Sequence, residues 1–309
     1  MAFDFYFAGM LKLETMDYVC KLGVNILSSY GYDMKNIMRL LERKRSGQWS
    51  GNLFIDSGAF TVHRKNGTVD VDAYISFLNE NKDCISRAVQ LDDIPGVWGE
   101  VKTAKQMAES PIKSWNNYLY MVSKLERPEM LLPVFHQGEN FKYLSNMVEY
   151  KYANGKPIEY ICVSGNKELT KKQRKQWYAK VYDVIKRSSN PYVRVHCLGS
   201  ATLTDMQEFP FTSSDATSWL MTSANGSILT PFGTVLVSSM QKFSKDHILN
   251  RPPECLQTVH NMCNEFGIKF DDLMESHTAR SHFNIRYLYK ASQETTFVER
   301  NLKISRGLF

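Results

Sequence analysis

The sequence predicts an α/β protein, a TIM (β/α)8 barrel with a helical C-terminal extension. Three observations carry this: eight short apolar runs of strand type, amphipathic segments of helical spacing between most of them, and polar or glycine residues where the runs stop. With 309 residues, 43% of them hydrophobic, the chain is long enough to bury such a core. The barrel is expected over residues 1–235 and the extension over 236–309.

Residues 3–8 are aromatic and apolar and stop at Gly9, as a buried first strand does. Helical spacing over residues 13–22 precedes a second strand at 24–28. Asp33 is placed to cap a helix ending at the basic Arg45. The third strand begins near Asn52 and halts at Asp56 and a glycine turn. Val71, Tyr74, Ile75, Phe77 and Leu78 mark a helix, and strand 87–91 ends at Asp92-Asp93. Two helical segments follow, 98–107 from Trp98 and 114–125. Strand 130–135 ends at His136-Gln137-Gly138-Glu139, and 141–150 is helical. Strand 158–163 ends in Ser164-Gly165-Asn166, and Lys171 opens an amphipathic helix carrying Trp177, Val181, Val184 and Ile185. Strand 192–198 is closed by Gly199-Ser200, Thr204 caps a short helix, and strand 211–214 precedes Asp215. From about Leu236 the chain reads as helical, with a break at Pro252-Pro253.

The net charge of +6 suits a polyanionic partner without requiring one. Six scattered cysteines read as reduced, buried thiols. No stretch has the features of a signal peptide or a membrane span, so a cytoplasmic protein without a membrane partner is expected.

Barrel enzymes take their reactive groups from strand C-terminal ends. Here those ends supply Asp56, Asp92, Asp93, His136, Gln137, Gly165, Asn166, Gly199 and Asp215. Two carboxylates on one mouth can divide labour, one attacking carbon and the other moving a proton, which suits cleavage of a glycosidic bond. An Asp in a Ser/Thr-rich segment such as 213–219 also serves as a turn or helix cap. Clustered Asp residues can hold metal, but no H-x-H or H-x-x-E-H spacing occurs. Cys255, His260 and Cys263 form the one candidate zinc set, with inert helix-face side chains as the alternative, so no cofactor is expected. Lys171, Lys172 and Arg174 either track phosphates or solvate a helix face. The same choice applies to Arg280, Arg286, Lys290 and Arg300 in the tail. Trp219, Phe60 and Phe135 either stack on a base or fill the core.

Asp56-Ser57-Gly58-Ala59-Phe60 resembles the Asp-Ser-Gly-Gly-aromatic motif of tRNA-guanine transglycosylases, with Ala59 in place of the second glycine. The likeness continues in order through Asp92, Gln137-Gly138, Gly165, Leu198-Gly199 followed by Thr204-Asp205, and Asp215, and covers residues 1–235. Within that superfamily the chain is similar to the shorter phage and bacterial branch that acts on DNA and 7-deazaguanine bases. The resemblance implies a TIM-barrel enzyme in which Asp215 attacks the anomeric C1′ and Asp56 is the general acid/base. It makes Asp92, Gln137 and the Gly165 backbone the readers of the base edge, with Asp93, Asn166, Ser57, Gly58 and Phe60 around the base. His136, Trp219, Asn225, Lys171, Lys172 and Arg174 are the expected nucleic-acid contacts.

The Cys-x-Cys-x-x-Cys…His zinc site of the tRNA enzymes is missing, and segment 221–226 lacks their arginines although Asn225-Gly226 is kept. DNA is therefore expected as partner in preference to tRNA, with the target nucleotide flipped out or single-stranded. A free base is the co-substrate if bases are exchanged. If water takes its place, the protein is a DNA glycosylase that removes a modified base and leaves an abasic site, as in phage defence. A noncatalytic nucleic-acid-binding barrel and an unrelated metal-dependent hydrolase are the other readings.

Overall fold

The structure, a computed structural model, describes residues 3–9, 12–97, 99–166, 169–199 and 203–294. Trp98, Ser200, Arg300 and the side chain of Thr204, named above, lie outside the described residues.

Nine strand segments form one sheet: β1 (Asp4–Ala8), β2 (Asn25–Ser29), β3 (Leu53–Asp56), β4 (Arg87–Val89), β5 (Leu131–Leu132), β6 (Val134–His136), β7 (Tyr160–Ser164), β8 (Arg194–Cys197) and β9 (Ser213–Ala216). Every neighbouring pair is parallel, in the order β5-β4-β3-β2-β1-β9-β8-β7-β6. The two ends of that order are halves of one strand split at Pro133, which has no N–H to give the ladder. The Pro133 carbonyl still accepts from the Cys162 N–H at 2.8 Å. The sheet thus closes through this strand into the eight-stranded barrel that the sequence predicts.

Side chains alternate along the strands with period two. Phe5, Phe7, Ile26, Ile55, Phe135, Ile161 and Val195 point outward into the layer shared with the helices. Tyr6, Phe54, Val89, Leu132, Val134, Tyr160 and Cys162 point into the barrel.

The surrounding helices are α1 (Leu13–Leu22), α2 (Met34–Arg45), α3 (Ala59–His63), α4 (Val71–Glu80), α5 (Ala104–Lys124), α6 (Phe141–Glu149), α7 (Lys171–Arg187), α8 (Leu203–Glu208) and α9 (Ser218–Ala224). Two details differ from expectation. Asp33 precedes α2 but its side chain caps nothing, because Ser28 Oγ (2.9 Å) and Asn36 Nδ2 (2.8 Å) occupy the carboxylate. The two helices expected over 98–125 are one, α5, which starts only at a Thr103/Gln106 capping box and runs through Pro111. Its buried residues Ser110, Ser114, Tyr118 and Met121 hold it on the barrel despite the lost rung.

Between the barrel and the helical extension lies an element that the sequence reading passed over. A hairpin, β10 (Ser227–Thr230) and β11 (Gly233–Leu236), precedes α10 (Pro253–Phe266), α11 (Phe270–Glu275) and α12 (His277–Glu294). Ile228, Val235, Ile248, Val259, Phe266 and Phe283 give this part a core of its own. α12 returns to the barrel, where Asn284 Nδ2 donates to the Trp219 carbonyl (3.2 Å) and Ser223 Oγ (3.0 Å) of α9. Arg280, expected as a phosphate contact or a solvated side chain, is buried, with its guanidinium on the carbonyls of Ser223, Leu273 and Met274. Lys290 pairs with Glu265 at 2.6 Å. No helix among the described residues is long and apolar enough to cross a membrane.

Candidate active site

In an all-parallel barrel every strand ends on the same face, and β3 places Asp56 there as its last residue. Asp56 sits beside Ser29 of β2, whose Oγ donates to Oδ2 at 3.3 Å, and the Gly58 N–H donates to the same oxygen at 3.2 Å. Gly58 has φ +79°, and a Cβ there would come within 2.6 Å of Ser29 Oγ and 2.7 Å of the Gly31 nitrogen. The Asp-Ser-Gly turn is therefore a backbone seat that only glycine completes. Burial, followed by the negative charges of Asp215 and Asp92, outweighs the two hydrogen bonds and raises the Asp56 carboxyl from 3.8 to about 6.

Asp215 was expected just past the last strand; β9 instead continues through it to Ala216, pairing it with Tyr6 of β1. Asp215 is 6% exposed. Its Oδ1 accepts the Gly199 N–H at 2.6 Å and lies 3.3 Å from His196 Nε2, while Oδ2 takes no hydrogen bond among the described residues. His196 is fully buried in the barrel interior, with Nδ1 2.5 Å from Ser213 Oγ, itself 2.5 Å from the Tyr160 hydroxyl. Sequence reasoning missed His196. The available signal was its place in Arg194-x-His196-x-Leu198, where alternate residues of a barrel strand face inward.

Asp92 lies just past β4, with Oδ1 accepting from Gln90 Nε2 at 2.6 Å and Oδ2 3.3 Å from His136 Nε2. The other ring nitrogen of His136 is 3.2 Å from Glu139 Oε1. Burial opposes a charge on His136, but Asp92 and Glu139 overcome it and raise its pKa to about 10, so it is an imidazolium between two carboxylates. Gln90 Oε1 and Glu139 Oε2 are buried with no hydrogen-bond partner among the described residues. Orphaned acceptors of this kind cost about 1–3 kcal/mol each.

Charge coupling shows that the three aspartates share one mouth. Asp56 feels Asp215 and Asp92, and the buried Cys162 thiol, raised first by burial, feels all three. Tyr32, absent from the sequence-based set, joins them: it is 49% exposed, hydrogen-bonds Ser29 and feels Asp56 and Asp215.

The other expected residues divide. Ser57 is buried, and Phe60 is 52% exposed. Asp93 is pinned through its backbone, its N–H to Ser114 Oγ (2.9 Å) and its carbonyl to Ser110 Oγ (2.5 Å). Gln137, expected to read a base, has its amide engaged instead: Oε1 accepts the Asn166 N–H (3.0 Å) and Nε2 donates to the Gln173 carbonyl (3.4 Å). It ties the β7 exit, with buried Gly165 and exposed Asn166, to the start of α7. A Thr170/Gln173 capping box fixes that start and sets Lys171 and Lys172 out in solvent. Arg174 turns back to the Leu169 carbonyl at 2.5 Å.

Trp219 is no nucleic-acid contact: it is 1% exposed, its Nε1 donating to the Ala8 carbonyl at 3.0 Å. Phe135 is likewise core. Asn225 is the exposed C-cap of α9, about 10 Å along that helix from its mouth-side start. Cys255, His260 and Cys263 share α10 but do not converge, since Cys263 is buried in the extension core and His260 packs at a tilt on Phe270, ring centres 4.5 Å apart. No group of three or more His, Cys, Asp or Glu among the described residues could hold a metal ion. No protein-family model and no curated protein matches the chain.

Proposed function

We propose that the protein cleaves the N-glycosidic bond of a base in DNA, with Asp215 as nucleophile and Asp56 as general acid/base. One observation carries the reading: two carboxylates of opposite readiness meet at one barrel mouth. Among the described residues nothing hydrogen-bonds Asp215 Oδ2, whereas Asp56 holds a proton up to about pH 6. Asp215 Oδ2 bonds to C1′ as the C1′–N bond breaks, its electron pair leaves on the base nitrogen, and Asp56 gives that nitrogen its proton. The ionised Asp56 then takes a proton from water or an incoming base, which attacks C1′ and frees Asp215.

The carboxylates of Asp92 and Glu139, each partly exposed, fit a base edge that presents N–H donors, with Gln90 holding Asp92 from behind the surface. Tyr32 at the rim offers a face for a base drawn out of the stack, and Lys171 and Lys172 offer charge for its phosphates. DNA carrying candidate modified bases, incubated with the protein with and without an added 7-deazaguanine, tests this by mass spectrometry of released bases and nucleosides. Base loss that disappears in Asp215→Ala supports the assignment; base loss that persists in it refutes the nucleophile. Incorporation of the added base identifies exchange, and abasic sites without incorporation identify hydrolysis.

A further inference from the structure

We propose that His196 is a positioning residue for Asp215, the last link of a one-way hydrogen-bond chain that starts at Tyr160 and passes through Ser213. The inference rests on Asp215 being the nucleophile. His196 is fully buried, so it acts on a substrate only through the carboxylate it touches.

The direction of the chain follows from what each group can do. An ionised Asp215 only accepts, so His196 Nε2 carries the hydrogen that points at Oδ1 across 3.3 Å. His196 Nδ1 is then an acceptor and takes the Ser213 hydroxyl proton at 2.5 Å. With its own proton committed, Ser213 Oγ accepts from the Tyr160 hydroxyl at 2.5 Å. Each bond polarises the next toward the carboxylate. The far end is fixed by the guanidinium groups of Arg194 and Arg87, 4.8 and 5.8 Å from the centre of the Tyr160 ring. Tyr6 and Phe54 hold the imidazole from the side, ring centres 5.9 and 4.7 Å away.

The two carboxylate oxygens are made unequal as a result. Oδ1 receives His196 and the Gly199 N–H, and Oδ2 is the oxygen left for C1′. A Ser-His-Asp nucleophilic triad uses the same three residue types, but here the order is turned round: Ser213 is fully buried and Asp215 is the member at the mouth.

The test compares His196→Gln, whose amide can donate to Asp215 while its carbonyl accepts from Ser213, with His196→Phe, which fills space alone. In the base-release assay on folded variants, kcat is expected to fall about 100-fold in the Phe variant with KM within about 2-fold, and Gln to recover at least about 10-fold of the loss. Wild-type kcat in His196→Phe, or equal losses in the two variants, overturns the proposal. A wild-type protein that releases no base refutes the nucleophile reading instead. The chain is tested separately by 15N NMR of the labelled imidazole in the intact protein, which also decides if His196→Phe does not fold. A neutral ring with hydrogen on Nε2, losing that preference in Ser213→Ala, supports the chain; hydrogen on Nδ1 overturns it.

Discussion

Replacing Asp56 by Asn is expected to make the protein more stable at alkaline pH while abolishing base release. The unfolded carboxyl loses its proton near its ordinary value of 3.8, but burial and the neighbouring Asp215 and Asp92 let the folded protein keep it to about 6. Between these values the folded state binds the proton more tightly than the unfolded one, so wild-type stability falls as pH rises, and above about pH 6 the whole penalty is present. At 1.36 kcal/mol per tenfold change in proton affinity, this amounts to about 3 kcal/mol, trimmed to about 1–3 kcal/mol by solvent at the mouth. Asn retains an oxygen for the Gly58 N–H and Ser29 Oγ and carries no charge. Urea titrations of both proteins at pH 4.5 and pH 8 cancel the other titrating groups. The advantage of Asp56→Asn should grow by about 1–2 kcal/mol between the two. A constant gap, or a wild type more stable at pH 8, refutes the electrostatic account of the mouth.

Lys171→Ala combined with Lys172→Ala should lower the slope of log affinity for DNA against log salt by about 2, measured by fluorescence anisotropy; an unchanged slope removes them from the phosphate path. Trp219→Phe loses the bond to the Ala8 carbonyl and should cost about 1 kcal/mol in denaturant titrations with DNA affinity intact. Weakened binding at full stability would return the indole to the substrate. Gly58→Ala forces a Cβ into the space of Ser29 and Gly31 at φ +79°, for an expected loss of about 1–3 kcal/mol along with base release. A variant equal to wild type in both assays would show that the turn is not the seat of Asp56.

What the sequence made legible was the outward half of the barrel and the ends of its strands. Apolar runs followed by Asp56, Asp92 or His136 announce both the parallel sheet and its working face, because strand exits are where polar side chains interrupt a buried run. The inward half was harder. Arg194, His196, Ser213 and Tyr160 sit within runs that read as ordinary strand, and only closure of the sheet turns them toward one another. The two helical segments expected over 98–125 are one helix through Pro111, because the buried face of α5 overrides one lost rung. Gln137 matched a base-reading position by its neighbours in sequence, but its partners come from α7 and the β7 exit, distant in the chain. The hairpin β10–β11 escaped notice although Pro231-Phe232-Gly233 supplied a turn signal between Ile228 and Val235.

The seating of α12 has a consequence for how the protein is made. Hydrogen bonds between Trp219 and Ala8 and between Thr278 and Glu14 join residues 211 and 264 positions apart. At about 5–20 residues per second of synthesis, β1 and α1 are polymerised roughly 13–55 s before the start of α12. In that interval β1 gains β2 early as a neighbour but keeps one open edge until β9 is made. A chain shortened before α12 loses the Asn284 bonds that seat it on α9 and is expected to give less soluble protein in the cell, checked by comparing soluble yields.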